Sequence, residues 1–348
     1  STARAEDWPC WRGPRGDGSS REKGIPTDWN GAEGRNINWK VEVPGVGHAS
    51  PIVSGERIFL VSCLEETERR VLLCLDRRTG RTLWQRDVIA APLEKKHRLN
   101  SHASSTPATD GTLIYVTFLE ADYGRDGLKD PKNWKEATPG DMAVAAYDFQ
   151  GQQRWLVRPG RFSSVHGYCS SPVLYENLVI VNGDHDGDSY LVALDRTDGR
   201  TVWKTPRENK TRSYCAPIIR QIDGRVQMIL SGSLCVASYD PRTGRRHWII
   251  DGPTEQYVAS LVYNGELLFL TAGFPELHIM GIRPDGHGNV TDTHVEWHTQ
   301  KGCSYVPSPI ASEDNKYFLV VSDKGCLLYT SPSPRDIHHN LVCRLMRE

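Results

Sequence analysis

Residues 74–84 read Cys-Leu-Asp-Arg-Arg-Thr-Gly-Arg-Thr-Leu-Trp. The phrase returns at 193–203 as Ala-Leu-Asp-Arg-Thr-Asp-Gly-Arg-Thr-Val-Trp and at 238–248 as Ser-Tyr-Asp-Pro-Arg-Thr-Gly-Arg-Arg-His-Trp. Its marker residues are Asp76, Gly80 and Trp84, then Asp195, Gly199 and Trp203, then Asp240, Gly244 and Trp248. A copy one residue shorter runs from Ala146 through Asp148 and Gly151 to Trp155, and a degenerate one, Gly281 to Gly286, is followed by Trp297. Self-similarity at a fixed period is the signature of a repeat architecture, so it takes precedence over local propensity.

A second element opens each unit: Ala49-Ser-Pro51, Ser105-Thr-Pro107, Ser170-Ser-Pro172, Cys215-Ala-Pro217, Ala259-Ser-Leu261 and Pro307-Ser-Pro309. The Trp residues at 39, 84, 155, 203, 248 and 297 are spaced by 45, 71, 48, 45 and 49. The long interval contains Glu120–Asp141, rich in Gly, Pro and charge, which predicts an insertion at 120–141. Within a unit the pattern is strand-like, as in Asn177-Leu-Val-Ile-Val-Asn182 and Tyr190-Leu-Val-Ala-Leu194. The Asp-x-x-Thr-Gly phrase reads as a hairpin turn: Asp accepts from backbone N–H groups ahead of it, and Gly takes the positive φ that a bulged hairpin requires. Four short strands per unit of about 45 residues, arranged radially, describe an all-β β-propeller.

The absence of a Trp-Asp dipeptide and of a Gly-Gly pair sets the WD40 and kelch classes aside. The Ala-x-Asp-x-x-Thr-Gly-x-x-x-Trp pattern, over roughly 36–325, resembles that of the pyrroloquinoline-quinone-like propellers, a family with quinoprotein dehydrogenases and non-catalytic BamB-type members. The resemblance implies seven or eight four-stranded blades, with Trp wedged between neighbours. Five full units and the start of a sixth are legible, so the propeller reads as truncated. The expected division is an N-terminal extension at 1–35, the propeller at 36–325, and a tail at 326–348 that lacks repeat residues and is expected to be non-native or unstructured. Asn36–Val43, carrying Trp39, reads as the outer strand of a last, mostly missing blade. Asp7-Trp-Pro-Cys-Trp-Arg-Gly-Pro14 resembles the start of exported proteins built on these repeats, which implies a periplasmic or otherwise exported location.

Composition narrows the function classes. The 348 residues carry 42 Lys+Arg against 43 Asp+Glu, a net charge of -1, so no nucleic-acid partner is expected. The longest charge-free stretch, about Val226–Tyr239, is too short and polar for a transmembrane segment. Nine Cys, with no C-x-x-C and no adjacent pair, argue against a zinc site or a disulfide scaffold. The missing adjacent Cys pair also separates the chain from many alcohol-oxidising relatives.

Asp184-His-Asp186-Gly-Asp188 puts carboxylates at alternate positions, as a calcium loop does, but Gly187 is at the fourth place where the loop needs it at the sixth. A solvated hairpin is the better reading of those metal candidates. Just before the opening strands stand His48, His102, His166, Tyr168, Tyr214, Tyr257 and Tyr305. Loops into innermost strands surround one mouth of a propeller's channel, so these seven are the candidate ligand-binding ring. The competing reading is that they fill the funnel and bond to backbone. The expectation is a non-enzymatic exported propeller, a binding or scaffolding module without cofactor. Its partner would be a protein or a small-molecule or glycan ligand. The alternatives are a PQQ-dependent quinoprotein dehydrogenase with PQQ and calcium, and an accessory carbohydrate-binding protein.

Overall fold

The computed structural model describes residues 5–124, 136–330 and 344–345. The expected fold class is observed: the chain forms four-stranded antiparallel blades of a β-propeller, and among the described residues the only helical turn is a 3-10 segment at Glu65–Thr67. Two compact units divide it, 1–174 with 196–200 and 175–195 with 201–348.

In the first unit, one sheet comprises Ile52–Ser54, Arg57–Leu64, Arg69–Asp76 and Thr82–Ala90, and the next comprises Ala108–Thr109, Leu113–Ala121, Thr138–Asp148 and Gln153–Ser164. Each is a meander in chain order. The middle strands are apolar and buried on both faces, and Ile52, Phe59, Leu72, Ile114, Val116 and Ala145 share one core. The insertion begins inside this second sheet, where Glu120 pairs with Asp141 and Ala121 with Gly140. The rest of it, at 125–135, lies outside the described residues.

A third sheet starts at Val173–Tyr175 and continues as Leu178–Gly183, Tyr190–Asp195 and Thr201–Pro206. The remaining sheets belong to the second unit. The fourth holds Ile218–Ile222, Arg225–Gly232, Cys235–Tyr239 and Arg246–Asp251, with Gly288–Asn289 added in parallel at its edge. The fifth holds Val262–Tyr263, Leu268–Ala272, His278–Ile282 and Val295–Thr299, and the sixth Ile310–Ala311, Phe318–Val321, Cys326–Thr330 and Arg344–Leu345. Strand pairing therefore runs past residue 325, because Leu319 faces Tyr329 and Val321 faces Leu327. Of the expected tail, 331–343 and 346–348 lie outside the described residues.

The repeated phrase has one physical role. Its Asp caps the hairpin: Asp76 Oδ1 accepts from the backbone of Arg78 and Thr79 and from the Thr79 hydroxyl. A bulge follows the same third-strand position in each copy, between Cys74 and Leu75, Ala146 and Tyr147, Ala193 and Leu194, Ser238 and Tyr239, and Gly281 and Ile282. The Trp of the preceding repeat then lies on the turn. Trp39, Trp84, Trp155, Trp203 and Trp248 donate their indole N–H to the carbonyls of Arg77, Phe149, Arg196, Pro241 and Pro284 at 2.9–3.1 Å. A Cβ on Gly80, Gly151, Gly199 or Gly244 would stand 2.5–2.9 Å from the indole, and all four glycines have positive φ. Glycine is thus required twice over, by backbone conformation and by the approach of the ring. Trp297 is buried too, yet its N–H finds no acceptor among the described residues.

Two sequence expectations change. Trp39 docks as an outer-strand Trp would, but Asn36–Val43 pairs with no strand among the described residues. Trp203 and Trp248 are not equally covered either: Trp248 is fully buried, whereas Trp203 is half-buried at the sheet's outer edge. Trp248→Ala should therefore cost about 3–5 kcal/mol and Trp203→Ala distinctly less. Urea unfolding of the two variants measures the difference, and equal losses would contradict the burial pattern.

Candidate functional site

Aligning the opening phrases separates the seven candidate residues into registers. Two residues before the three-residue opening phrase stand Tyr168, Tyr257 and Tyr305, and one residue before it stand His48 and Tyr214. His102 and His166 lie further upstream. Burial follows register: Tyr168 and Tyr257 are buried and Tyr305 is half-buried, while Tyr214 is half-buried and His48 is exposed. The seven residues do not share one register. The nearer position is occupied by His48, Ser104 and Cys169 in the first unit and by Tyr214, Val258 and Val306 in the second, all half-buried except His48 and Val306, which are exposed. Ser104, Cys169, Val258 and Val306 were missed; alignment on the proline would have found them.

The inward-facing groups hold loops together. The Tyr257 hydroxyl donates to Gly252 O at 2.7 Å, the Tyr305 hydroxyl donates to Gln256 Oε1, and Tyr168 meets Phe162 edge-on. Burial pushes the Tyr257 phenol far up. His166 stacks edge-on with His97, and its carbonyl accepts from the Asn100 amide at 2.8 Å. His102 is buried between the Glu65 carboxylate (2.8 Å) and the Glu94 carbonyl (3.0 Å). Beneath it Arg70 pairs with Glu94, both almost fully buried, and burial raises the Glu94 carboxyl against the pull of Arg70. His102 is therefore part of a loop anchor and not a free mouth ligand.

The Ser and Thr of the opening phrases form a relay from sheet to sheet. The Ser50 N–H donates to Thr106 Oγ1 and the Thr106 N–H to Ser171 Oγ, both at 3.0 Å; in the second unit the Ser260 N–H donates to Ser308 Oγ. One residue earlier, the Ser105 hydroxyl donates to Ser170 O, and Cys215 fills the same post with its thiol on Ala259 O. Burial pushes the Cys215 thiol up to about 12, so it serves as a packed donor and not as a nucleophile.

The three carboxylates considered for a metal are each paired with a basic side chain. Asp184 takes Arg207 in a buried two-point pair (Nε–Oδ1 2.9 Å, Nη2–Oδ2 3.3 Å), Asp186 pairs with Arg212, and Asp188 with Lys210 at 2.6 Å. Burial works against the Arg207 charge, but the Asp184 carboxylate more than offsets it and holds its pKa well above the usual value. Among the described residues no three His, Cys, Asp or Glu side chains converge as metal ligands.

Comparison with known proteins agrees with this anatomy. Residues 24–124 and 135–258 match the family described as outer membrane protein assembly factor BamB, more than half of the chain. The chain belongs to that family. Among solved structures it resembles BamB from Moraxella catarrhalis at 16% identity and TM-score 0.54, over 86% of this chain and 75% of that one. A weaker likeness, at 13% identity and TM-score 0.49, is to the quinohemoprotein alcohol dehydrogenase of Comamonas testosteroni, over 95% and 72%. No curated protein sequence matches the chain.

Two predictions follow from the charged groups. Asp184→Asn strands the Arg207 guanidinium in the interior and should cost about 3–5 kcal/mol, whereas Asp188→Asn, at an exposed pair, should leave stability unchanged; guanidinium unfolding distinguishes them. His185 and His278 are both lowered from 6.5 by burial, and His278 further by His298, whose Nε2 lies 2.7 Å from His278 Nδ1. A histidine whose folded pKa lies below its unfolded value contributes stability in full above about pH 6.5 and loses it as pH falls further. Glu94, raised by burial, acts in the opposite sense. The unfolding midpoint should drop between pH 7.5 and 5.5, and His278→Gln should shrink that drop; an unchanged drop would locate the dependence elsewhere.

Proposed function

We propose that this chain is an exported, non-enzymatic propeller that serves outer-membrane protein assembly as a protein-binding scaffold, through the opening loops of its units. The observation that carries the reading is the distribution of exposed apolar side chains. In an antiparallel meander the connection into the first strand and the loop between the second and third strands share one end. In the second unit Val306, Leu234, Phe274 and Leu277 are exposed on connections at that end, and in the first unit Val46 and Leu99 are. On the loops of the opposite ends only Tyr317 is exposed in this way among the described residues. Among the strand connections the large exposed apolar side chains gather at one end, and with the exposed Ile25, Trp29, Val41 and Val43 of the N-terminal segment they suit a protein partner better than a small polar substrate. The family match to an assembly factor supports the same reading.

A PQQ-dependent dehydrogenase would need a cation to polarise the quinone and a carboxylate base. Asp184, Asp186 and Asp188 are committed to Arg207, Arg212 and Lys210, which weighs against that alternative. A glycan-binding accessory role has no comparable support, since the aromatic rings of Tyr168 and Tyr257 are buried.

Photo-crosslinking residues placed at Phe274 and Val306, with Glu313 as the control on an opposite-end loop, test the reading in an outer-membrane-bearing cell. Phe274 and Val306 should capture a component of the assembly machinery or an outer-membrane client, and Glu313 should not. Equal capture at Glu313, or a saturable thermal shift with PQQ and calcium, would overturn it. Because His102 is buried, His48→Ala with Tyr214→Ala is the variant pair that should keep the fold while weakening capture.

A further inference from the structure

A second polar feature lies where the 207–217 connection leaves its sheet, in a groove of about 360 Å³ on the second unit between the outer strand Thr201–Pro206 and the strands Cys235–Tyr239 and Arg246–Asp251. Its wall includes Arg207, Tyr239, Arg245 and Arg246, with Glu208 beside them. Arg207 and Tyr239 are more than nine-tenths buried.

A guanidinium carries five N–H donors. Arg207 spends four: Nε and Nη2 on the Asp184 oxygens, Nη2 again on Gly232 O at 2.9 Å, and Nη1 on the Tyr239 oxygen at 2.6 Å. One Nη1 proton remains. The Tyr239 oxygen already accepts from Arg207, so its own proton is left without an acceptor among the described residues. Burial pushes the phenol up despite the neighbouring guanidinium, which keeps that proton in place. On the same wall Arg246 pairs with Glu208 at an exposed site, and Arg245 has no ion-pair partner among the described residues. Two surplus buried donors and two guanidiniums against one carboxylate, in a groove large enough for a compact group, form a surface rich in unmet donors.

We infer that this groove binds an oxyanion, a carboxylate or a phosphate. The ligand's oxygens take the Tyr239 hydroxyl and the remaining Arg207 N–H, and Arg246 and Arg245 supply the balancing charge, with Arg246 turning from Glu208 to do so. Charge-assisted bonds of this kind are the strong ones, and guanidinium geometry suits both oxyanions. The inference rests on the groove alone and stands apart from the scaffold reading.

Isothermal titration with inorganic phosphate and, separately, with N-acetylglutamate amide, each against chloride at equal ionic strength, tests it on the full chain. At least one probe should bind saturably. Arg245→Ala combined with Arg246→Ala, both exposed and outside the buried network, should weaken binding by roughly tenfold or more with the unfolding midpoint unchanged. Tyr239→Phe should also weaken it, checked for folding by circular dichroism. Preference for phosphate would assign a phosphorylated ligand, and preference for the glutamate probe an acidic polypeptide segment. No saturable binding by either probe, or undiminished affinity in the double arginine variant, would overturn the inference.

Discussion

Everything in this fold depends on an indole lying flat on a glycine. Each hairpin turn exposes one carbonyl and one Cα–H surface to the repeat before it, and Trp39, Trp84, Trp155 and Trp203 use both. The contact joins a specific hydrogen bond to a large apolar area, so it fixes the distance and the register between sheets at once. A Cβ at the turn would enter the ring, and an L-residue there would also be strained by positive φ. Trp and Gly are consequently the least replaceable letters of the repeat.

That constraint governs the inner end as well. With the outer strands locked, the opening loops need bonds that run from sheet to sheet, and Ser50, Thr106 and Ser171 supply them in series. The Thr106 and Ser171 hydroxyls act as acceptors for the backbone N–H groups of Ser50 and Thr106 in these loops, where an unpaired buried donor would cost about 1–3 kcal/mol. Ala216 breaks the series, having no hydroxyl, and in that repeat the Cys215 thiol supplies the bond to Ala259. A residue type that looks chemically suggestive in sequence is here the packing solution of its position.

The outer half of each blade was legible because its physics is local: Asp caps a turn three residues long, Gly takes positive φ, and Trp stands a fixed distance on. The inner half was not. Whether Tyr168 or Tyr214 points inward depends on a single-residue register, and period-two alternation sends neighbours to opposite faces. Grouping residues as simply before the opening strand merged Tyr257, which is buried and bonded to Gly252, with His48, which is exposed. The Arg70–Glu94–His102 anchor was invisible for another reason: its members come from a strand, a connection and a loop, and no spacing rule relates residues 70, 94 and 102. The same holds for Asp184 with Arg207, although the alternation of Asp184, Asp186 and Asp188 did mark a place where charge needed an answer.

The answer to that charge shows why acidic spacing alone is weak evidence for a metal. Oxygen ligands at alternate positions can be satisfied by one dication or by several cationic side chains, and the two solutions look alike in a sequence window that stops at Asp188. The difference lies some twenty residues on, where Arg207, Lys210 and Arg212 leave the outer strand at the spacing that reaches the three carboxylates. A guanidinium suits the buried site better than a bare lysine would, since its fixed fork meets both Asp184 oxygens and still reaches Gly232 O and Tyr239. Lysine is left to the exposed end of the row, at Asp188, where a mobile point charge suffices. Burial falls from the Asp184–Arg207 pair through Asp186–Arg212 to Asp188–Lys210, so the row anchors the 207–212 connection at two sheltered pairs and leaves only the third to solvent.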